Sequence, residues 1–450
     1  MAHKFNEDFL NLFCEKNSDG TKNLRLKGNE LQQRIGSRVK AKDMHCIANF
    51  LNAHREITRL DLSYNDFGDK GLMILSDEYF SRENDLLHIN IMHCDIGVEG
   101  LELFSCSECL HLKSCRLNGN KIGSRGARFI AQLIDRCPSL EYIDIAETDQ
   151  TLESIESILI VIEHSTIKVL DISRIIPNSY YTKYNKATLA DDLSVVLKLN
   201  QTLVELHVQK FEFDGHDVEL LLSGLNVNKT LLVLDLGCNA IGDLGMEILS
   251  EWLKTRPSCR ALNVSSNDIH DSGARALSFG LPFSKLRFLD ISNNNIGDSG
   301  LVDLLNTLKK FCRMRMLFLW GNKFGPHACH KLDRMLESKV LEQDYLDIKI
   351  YKVDEKLHAA YYPVNHYKHI YYNVMDHGCP VELKIKKNKI IDPAALPREL
   401  LNMSHYGRYP PVDESLGLKK EVQKVCKSEV EQKEVNDVEQ NQFSMRRKCN

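Results

Sequence analysis

The stretch that most constrains this chain is Leu286 to Gly300, LRFLDISNNNIGDSG, because its pattern returns along the sequence at a nearly fixed distance. Leu286, Leu289, Ile291, Asn294 and Ile296 occupy the frame L-x-x-L-x-L-x-x-N-x-I, and Leu301, Leu304, Leu305 and Leu308 follow at i, i+3, i+4 and i+7. In a strand alternate side chains face opposite ways, so Leu289 and Ile291 turn into a core while Phe288, Asp290 and Ser292 turn away from it. Asn294 falls where the chain must leave the strand. Its amide can bond backbone groups that the turn would otherwise strand, an omission that costs about 1 to 3 kcal/mol. The leucines after Gly300 make one apolar helix stripe, so the unit is strand, turn, helix.

The asparagine position falls at Asn29, Asn65, Cys94, Asn120, Thr148, Ile175, Phe211, Asn239, Asn267, Asn294 and Asn322, at intervals of 26 to 29 residues apart from two of 36. This is a leucine-rich repeat whose period leaves room for a full helix. It resembles the ribonuclease-inhibitor type, which implies an α/β solenoid, a horseshoe of about eleven coils with a parallel sheet on the concave face and helices on the convex face. Stacked coils bury one long core, and a hydrophobic content of 43% can fill it.

The pattern divides the chain into an N-terminal cap over 1–22, a solenoid over 23–340, a tyrosine-rich extension over 341–411 and a tail over 412–450. Tyr345 to Val353, YLDIKIYKV, alternates with Leu346, Ile348 and Ile350 on one face and reads as a strand closing the open end. The tail balances its charges and has Phe443 as its one aromatic residue, a composition of disorder. Of the two long intervals, the first holds the polar stretch Leu31 to Lys42, read as a loop before the first full coil. The second surrounds an irregular coil and insertion over 174–187, RIIPNSYYTKYN, with Tyr180, Tyr181 and Tyr184. That segment is either a tolerated insertion or a rim loop read by a partner.

A net charge of −4 and a pI near 6.5 give no reason to expect binding to nucleic acid or an anionic membrane. The first residues lack a long apolar core, and the longest purely aliphatic run is Ile158 to Ile162, so neither a secretory nor a transmembrane segment is expected. Cys94, Cys115 and Cys259 stand at frame positions as small buried hydrophobes, which suits a reducing interior, cytoplasm or nucleus. Cys106-x-x-Cys109, with His111 and Cys115 nearby, has partial metal-ligand spacing but no second pair. His327 and His330, one helical turn apart, read as a surface pair, and Lys384, Lys386, Lys387 and Lys389 as the solvated face of a strand, with a weak nuclear-import cluster as the alternative. With no phosphate loop, nucleophile elbow or kinase signature, no catalytic residue, cofactor or metal is expected.

Two surfaces remain for function. The strand position between the core residues reads Asp61, Asn90, Arg116, Asp144, Asp171, His207, Asp235, Asn263, Asp290 and Phe318. This column is either a solvated strand face or a groove for a basic segment of a partner. At the C-terminal end Phe288, Met316, Phe318 and Trp320 project from the concave side as an aromatic patch, open to a partner or covered by the tyrosine-rich segment.

Four stretches carry a closer resemblance: RLDLSYNDFGDKG near the start, the broken coil IKVLDISRIIPNSYY, LWGNKF at Leu319 to Phe324, and YKVDEKLHAAYY after it. Over about residues 40 to 360 the chain is similar to the leucine-rich repeat-containing protein 34 family. That resemblance implies a non-enzymatic interaction protein of the cytoplasm and nucleolus, linked to germ-line or stem-cell differentiation. The expected activity is therefore a scaffold that binds protein partners and is a monomer when unbound. Two alternatives stand beside it. One is a GTPase activator of the Ran-activator type, using Arg59, Asn90, Arg116 and Asn118. The other is an inhibitor of a basic enzyme such as a ribonuclease, suggested by the aspartates.

Overall fold

The computed structural model describes residues 5–17, 19–177, 184–308, 314 and 316–362, all within one compact unit, Met1–Ala395. Each frame folds as a short strand: β1 Cys14–Lys16, β2 Lys22–Arg25, β3 Ile57–Asp61, β4 His88–Asn90, β5 Ser114–Arg116, β6 Tyr142–Asp144, β7 Val169–Asp171, β8 Glu205–His207, β9 Val233–Asp235, β10 Ala261–Asn263, β11 Phe288–Asp290 and β12 Met316–Phe318. These form one 12-stranded sheet in sequence order. β1 joins antiparallel at one edge, and every later pair is parallel. From β3 on, the chain returns between strands through one α-helix, for example Gly242–Lys254, Asp271–Gly280 and Asp298–Thr307, because parallel strands cannot be joined by a tight turn. Leucines and isoleucines from strand and helix meet in a single continuous core running from Phe5 to Ile348. The result is a leucine-rich-repeat solenoid.

Three side-chain devices hold the coils, two of them between neighbours and one within each coil. The first is an amide ladder. Asn120 donates to Ile91 O in the preceding coil and Leu117 O in its own, and accepts from the N–H groups of Cys94 and Ile96. Asn65, Asn239, Asn267, Asn294 and Asn322 likewise bond carbonyls of the preceding coil, Leu26, Val208, Leu236, Val264 and Ile291 respectively. Cys94 substitutes its thiol, which donates to Leu62 O at 3.0 Å. The second device follows the strand. Asp61, Asp144, Asp171, Asp235 and Asp290 each accept the N–H two residues on, at 2.9 to 3.2 Å, and Asn90 and Asn263 do the same at 3.3 and 2.9 Å. These are Asx turns that carry the chain out of the sheet.

The third device lies at the helix starts. Asp243 Oδ1 accepts from His270 N and Gly273 N in the next coil, Asp271 from Gly297 N, and Asp298 from the N–H groups of His327 and Ala328. These N–H groups at the helix start would otherwise lack partners, and the carboxylate also suits the positive end of the helix dipole. The close approach needs glycine on the receiving helix: a Cβ on Gly273 would sit 2.6 Å from Asp243 Oδ1, and one on Gly300 2.7 Å from Asp271 Oδ1.

Several expectations need correction. Asn29 is exposed at the start of the helix Gly28–Ile35, and Asn65 forms the first rung of the ladder. The stretch read as a loop begins inside that helix, which holds Leu31 to Ile35, with Leu31 fully buried. YLDIKIYKV closes the sheet only through one bridge, Leu317 to Leu346, and then leaves it. β13 Ile348–Val353 pairs antiparallel with β14 Lys356–Tyr361 as a separate hairpin. Asp347 caps the last coil by accepting from Leu319 N at 2.7 Å and from Trp320 N. Where the frame loses asparagine, Thr148 Oγ1 bonds only Ile145 O in its own coil, although Gln150 reaches back to Gly123 O. Ile175 and Phe211 have no polar group for the task.

Candidate functional site

Two columns of side chains face outward from the sheet. One is the aspartate column, and the other is the strand position just before the first core residue: His88, Ser114, Tyr142, Val169, Glu205, Val233, Ala261, Phe288 and Met316. The register places Tyr142, Val169 and Glu205 side by side on β6, β7 and β8, next to Asp144, Asp171 and His207.

This face is not the solvated column that spacing alone suggests. Asp144, Asp235 and Asp290 are buried, while Asp61 and Asp171 are half-buried. Each aspartate spends one oxygen on its Asx turn, and the second oxygens of Asp144 and Asp235 join polar groups on the sheet. Arg116 donates to Asp144 Oδ2 through Nε at 3.0 Å and Nη2 at 2.8 Å. His207 bridges Asp235 Oδ2 at 3.0 Å and Glu205 Oε1 at 2.8 Å, and Gln209 adds a bond to Asp235 at 2.6 Å. Asn263 donates to Asp235 Oδ1 at 2.7 Å.

The patch holds more carboxylates than cations. Asp144, Asp171, Glu205 and Asp235 face Arg116 and His207, and the protonation states respond. Burial pushes the Asp144 carboxyl up to about 7 although Arg116 pulls it down. Burial also raises Glu205, against the pull of His207. For His207, burial disfavours the imidazolium, but the bonds to Asp235 and Glu205 outweigh it and hold the proton well above the ordinary range. Among the described residues, three polar atoms on this face lie in the interior without a hydrogen-bond partner: Asn90 Nδ2, and Glu205 Oε2 and Tyr142 Oη, the last two on side chains with 0% exposure. Sequence reading missed Glu205 and Tyr142. Applying the repeat period to the second strand column would have shown a tyrosine and a glutamate in a row otherwise largely apolar.

The other candidate residues are placed as follows. Phe288 and Phe318 are fully buried and pack edge to face at 5.2 Å, and Met316 is buried beside them, so they form no open patch. Trp320 keeps 37% of its surface and lies 5.7 Å from the Tyr361 ring of β14. Tyr184 does not project from a rim. It is half-buried, its hydroxyl donates to Phe211 O at 2.6 Å, and burial raises its pKa. Tyr180 and Tyr181 lie outside the described residues, as do Lys384 to Lys389 and the tail. Of the residues considered for GTPase activation, Arg116 is buried and bonded to Asp144, and Asn90 is buried.

Cys115 is in the core, whereas Cys106 and His111 are exposed, and among the described residues no three metal-type ligands come together. His327 Nδ1 sits 2.8 Å from Asp298 Oδ2 of the preceding coil, a partner that spacing within one helix cannot show. Among the described residues no helix is long and apolar enough to cross a membrane.

A parallel sheet of single-strand coils, each returning through a helix and tied by asparagine amides, defines the class: this is a leucine-rich-repeat protein. The family model described as Leucine Rich repeat matches residues 54–76, 84–105, 108–131, 227–250, 260–278 and 284–305. The chain is similar to leucine-rich repeat-containing protein 34 of Mus musculus, 29% identical over 220 residues, which make up 48% of this chain and 52% of that protein. It is also similar to the ribonuclease inhibitor of Sus scrofa, 25% identical over 340 residues, 63% of this chain and 75% of that one. The match thus spans about half the length of the mouse relative. A crystal structure of a TLR13–ssRNA13 complex aligns with a TM-score of 0.35 and 16% identity, covering 64% of this chain and 35% of that one.

Proposed function

We propose that this chain is a non-catalytic scaffold whose sheet face grips a basic segment of a protein partner. The observation that supports the reading is the excess of carboxylates in one patch, Asp144, Asp171, Glu205 and Asp235 against Arg116 and His207. Such a patch favours a cationic segment and disfavours an acidic one, and partner choice by charge weakens as salt rises. Trp320 and Tyr361 extend the surface with an aromatic edge, the kind of side chain on which binding energy concentrates. Through the resemblance to leucine-rich repeat-containing protein 34, the place of action is the cytoplasm or nucleolus.

The test is affinity capture by the full chain and by a folded Asp171→Arg variant, at low and at high salt. Asp171 is half-buried and makes only its Asx turn among the bonds described, so the variant can fold. The expected result is a partner lost from the variant and weakened by salt. An identical, salt-independent partner set for both chains refutes the reading. The likeness to ribonuclease inhibitor favours a narrower version in which the partner is a basic ribonuclease. Undiminished ribonuclease activity with micromolar chain at low salt removes that version.

A further inference from the structure

We propose that one edge of the solenoid, the edge at which the chain enters β8 to β11, seats the protein on an anionic lipid surface, with Phe279 and Phe283 entering the headgroup layer and the cations beside them meeting lipid phosphates and carboxylates. The proposal goes beyond the partner-binding reading and uses no residue of the sheet face.

The placement comes from topology. The helices Lys186–Leu199, Gly215–Leu225, Gly242–Lys254 and Asp271–Gly280 all return between parallel strands, so their C-terminal ends lie along one edge. Val227 stands 28 residues after Leu199, and Phe283 twice that distance after Val227, so the repeat itself aligns them. All remain in solvent: Phe279, Phe283, Val227 and Leu199 keep 61%, 55%, 54% and 48% of their surface. Among the described residues, Phe279 and Phe283 are the only exposed phenylalanines. The turn that carries them is anchored. Gly280 packs so closely on the preceding helix that a Cβ would lie 2.5 Å from Ser250 O, Leu281 is buried, and Ser284 Oγ donates to Leu281 O at 2.8 Å. The two rings therefore stand out from a fixed turn, and grouped exposed apolar side chains mark contact surfaces.

The charge of this edge is the reverse of the whole chain's. Residues 198–204, 225–232, 251–260 and 279–287 carry seven lysines and arginines against one acid, Glu251, although the chain as a whole has a net charge of −4. Glu251 is already paired with Lys254. Lys198 and Lys254 suit the negative ends of their helices and need no further purpose. Lys229 and Arg256 lie beyond their helices; Lys229 bonds only the Asn226 carbonyl, at 3.1 Å, and Arg256 makes no ion pair among the described residues. The mixture selects the occupant. Leucine and valine give a nucleic-acid base no plane to stack on, whereas an apolar row flanked by cations is what holds a protein on an anionic bilayer. The opposite edge repels such a surface, because its helix starts carry Asp243, Asp271 and Asp298. One edge alone then faces the lipid, and the sheet face stands clear of it.

The experiment sediments the full chain with vesicles of phosphatidylcholine alone and of phosphatidylcholine mixed with phosphatidylserine. The expected result is binding to the mixed vesicles at low salt, little binding to the neutral ones, and release as salt rises. Phe279→Ser with Phe283→Ser, and separately Lys229→Glu with Arg256→Glu, should each weaken binding on the order of tenfold or more, with thermal melts confirming that both chains are folded. Failure of the wild type to bind mixed vesicles overturns the proposal, and so does binding that the phenylalanine substitutions leave unchanged. A wild-type dimer that those substitutions dissociate overturns it as well, because a second copy then covers the edge.

Discussion

Replacing Asn294 with alanine tests the amide ladder at a complete rung. Asn294 Nδ2 donates to Val264 O at 3.0 Å and Ile291 O at 2.9 Å, and its Oδ1 accepts from Asn267 N at 2.8 Å and Ile269 N at 3.2 Å. Ile291 O keeps a second donor, Asn322 Nδ2 at 2.9 Å, but Val264 O and both N–H groups lose their partner. Three stranded backbone groups at about 1 to 3 kcal/mol each set the scale, and water entering the vacated space recovers part of it, so the expected loss is about 3 to 5 kcal/mol. Asn294→Cys retains a donor, as Cys94 does toward Leu62 O, and should lose about half as much. Stacked repeats need not unfold in one step, so urea denaturation is paired with hydrogen exchange at the Asn267 and Ile269 amides. A change below about 0.5 kcal/mol with both amides still protected would refute the ladder argument.

The inter-coil aspartates and the buried histidine give further outcomes. Gly273→Ala places a methyl 2.6 Å from Asp243 Oδ1 and should cost about 1 to 3 kcal/mol, read as a drop of several degrees in Tm; an unchanged melt contradicts the close approach. For Asp271, burial raises the carboxyl, but bonds from Ser299 and from the N–H groups of Gly297 and Gly300 outweigh it and leave the pKa below 3.8. A depressed value stabilises above the unfolded pKa and is lost as pH falls through the folded one, so Asp271→Ala should be less stable than wild type at pH 7 and converge with it in strong acid. His207 has the opposite sign. Its raised pKa contributes stability that is complete below about 6.5 and is lost as pH rises through the folded value, so His207→Gln should flatten the alkaline side of the stability profile. Parallel profiles for the variant and wild type above neutrality would show that the histidine carries no proton in the fold.

The period, the parallel sheet and the return helices were legible because the frame samples core positions, and a leucine in a core needs no particular partner. What was not legible depends on partners about one coil away. Asn29 fits the frame, yet Gly28 begins a helix that packs so closely on the next coil that a Cβ would lie 1.8 Å from Tyr64 O. The D-x-G at the helix starts is visible in NDFGDKG and NNIGDSG, but its meaning appears only when Asp271 is seen against Gly300. The aspartate column is visible as residues but its burial is not, since one coil shows neither the Asx turn nor the Arg116 and His207 that cross from the adjacent strand. Phe288 and Phe318 fall on the facing positions of the frame, but their burial is decided by what packs on them.

The residue just before each ladder position has a left-handed backbone in ten coils in succession: Tyr64, His93, Gly119, Glu147, Arg174, Lys210, Cys238, Ser266, Asn293 and Gly321. Non-glycine residues adopt this conformation at some cost, commonly about 1 kcal/mol, which adjacent bonds must offset. At Ile175 the turn persists without a polar side chain of its own, and at Phe211 it is braced only from the next coil, where Asn239 Oδ1 accepts from Phe211 N and Phe213 N. The amide ladder is thus thinnest around Thr148 and Ile175, so the coils carrying β6 and β7 are where the array is expected to yield first when it is bent.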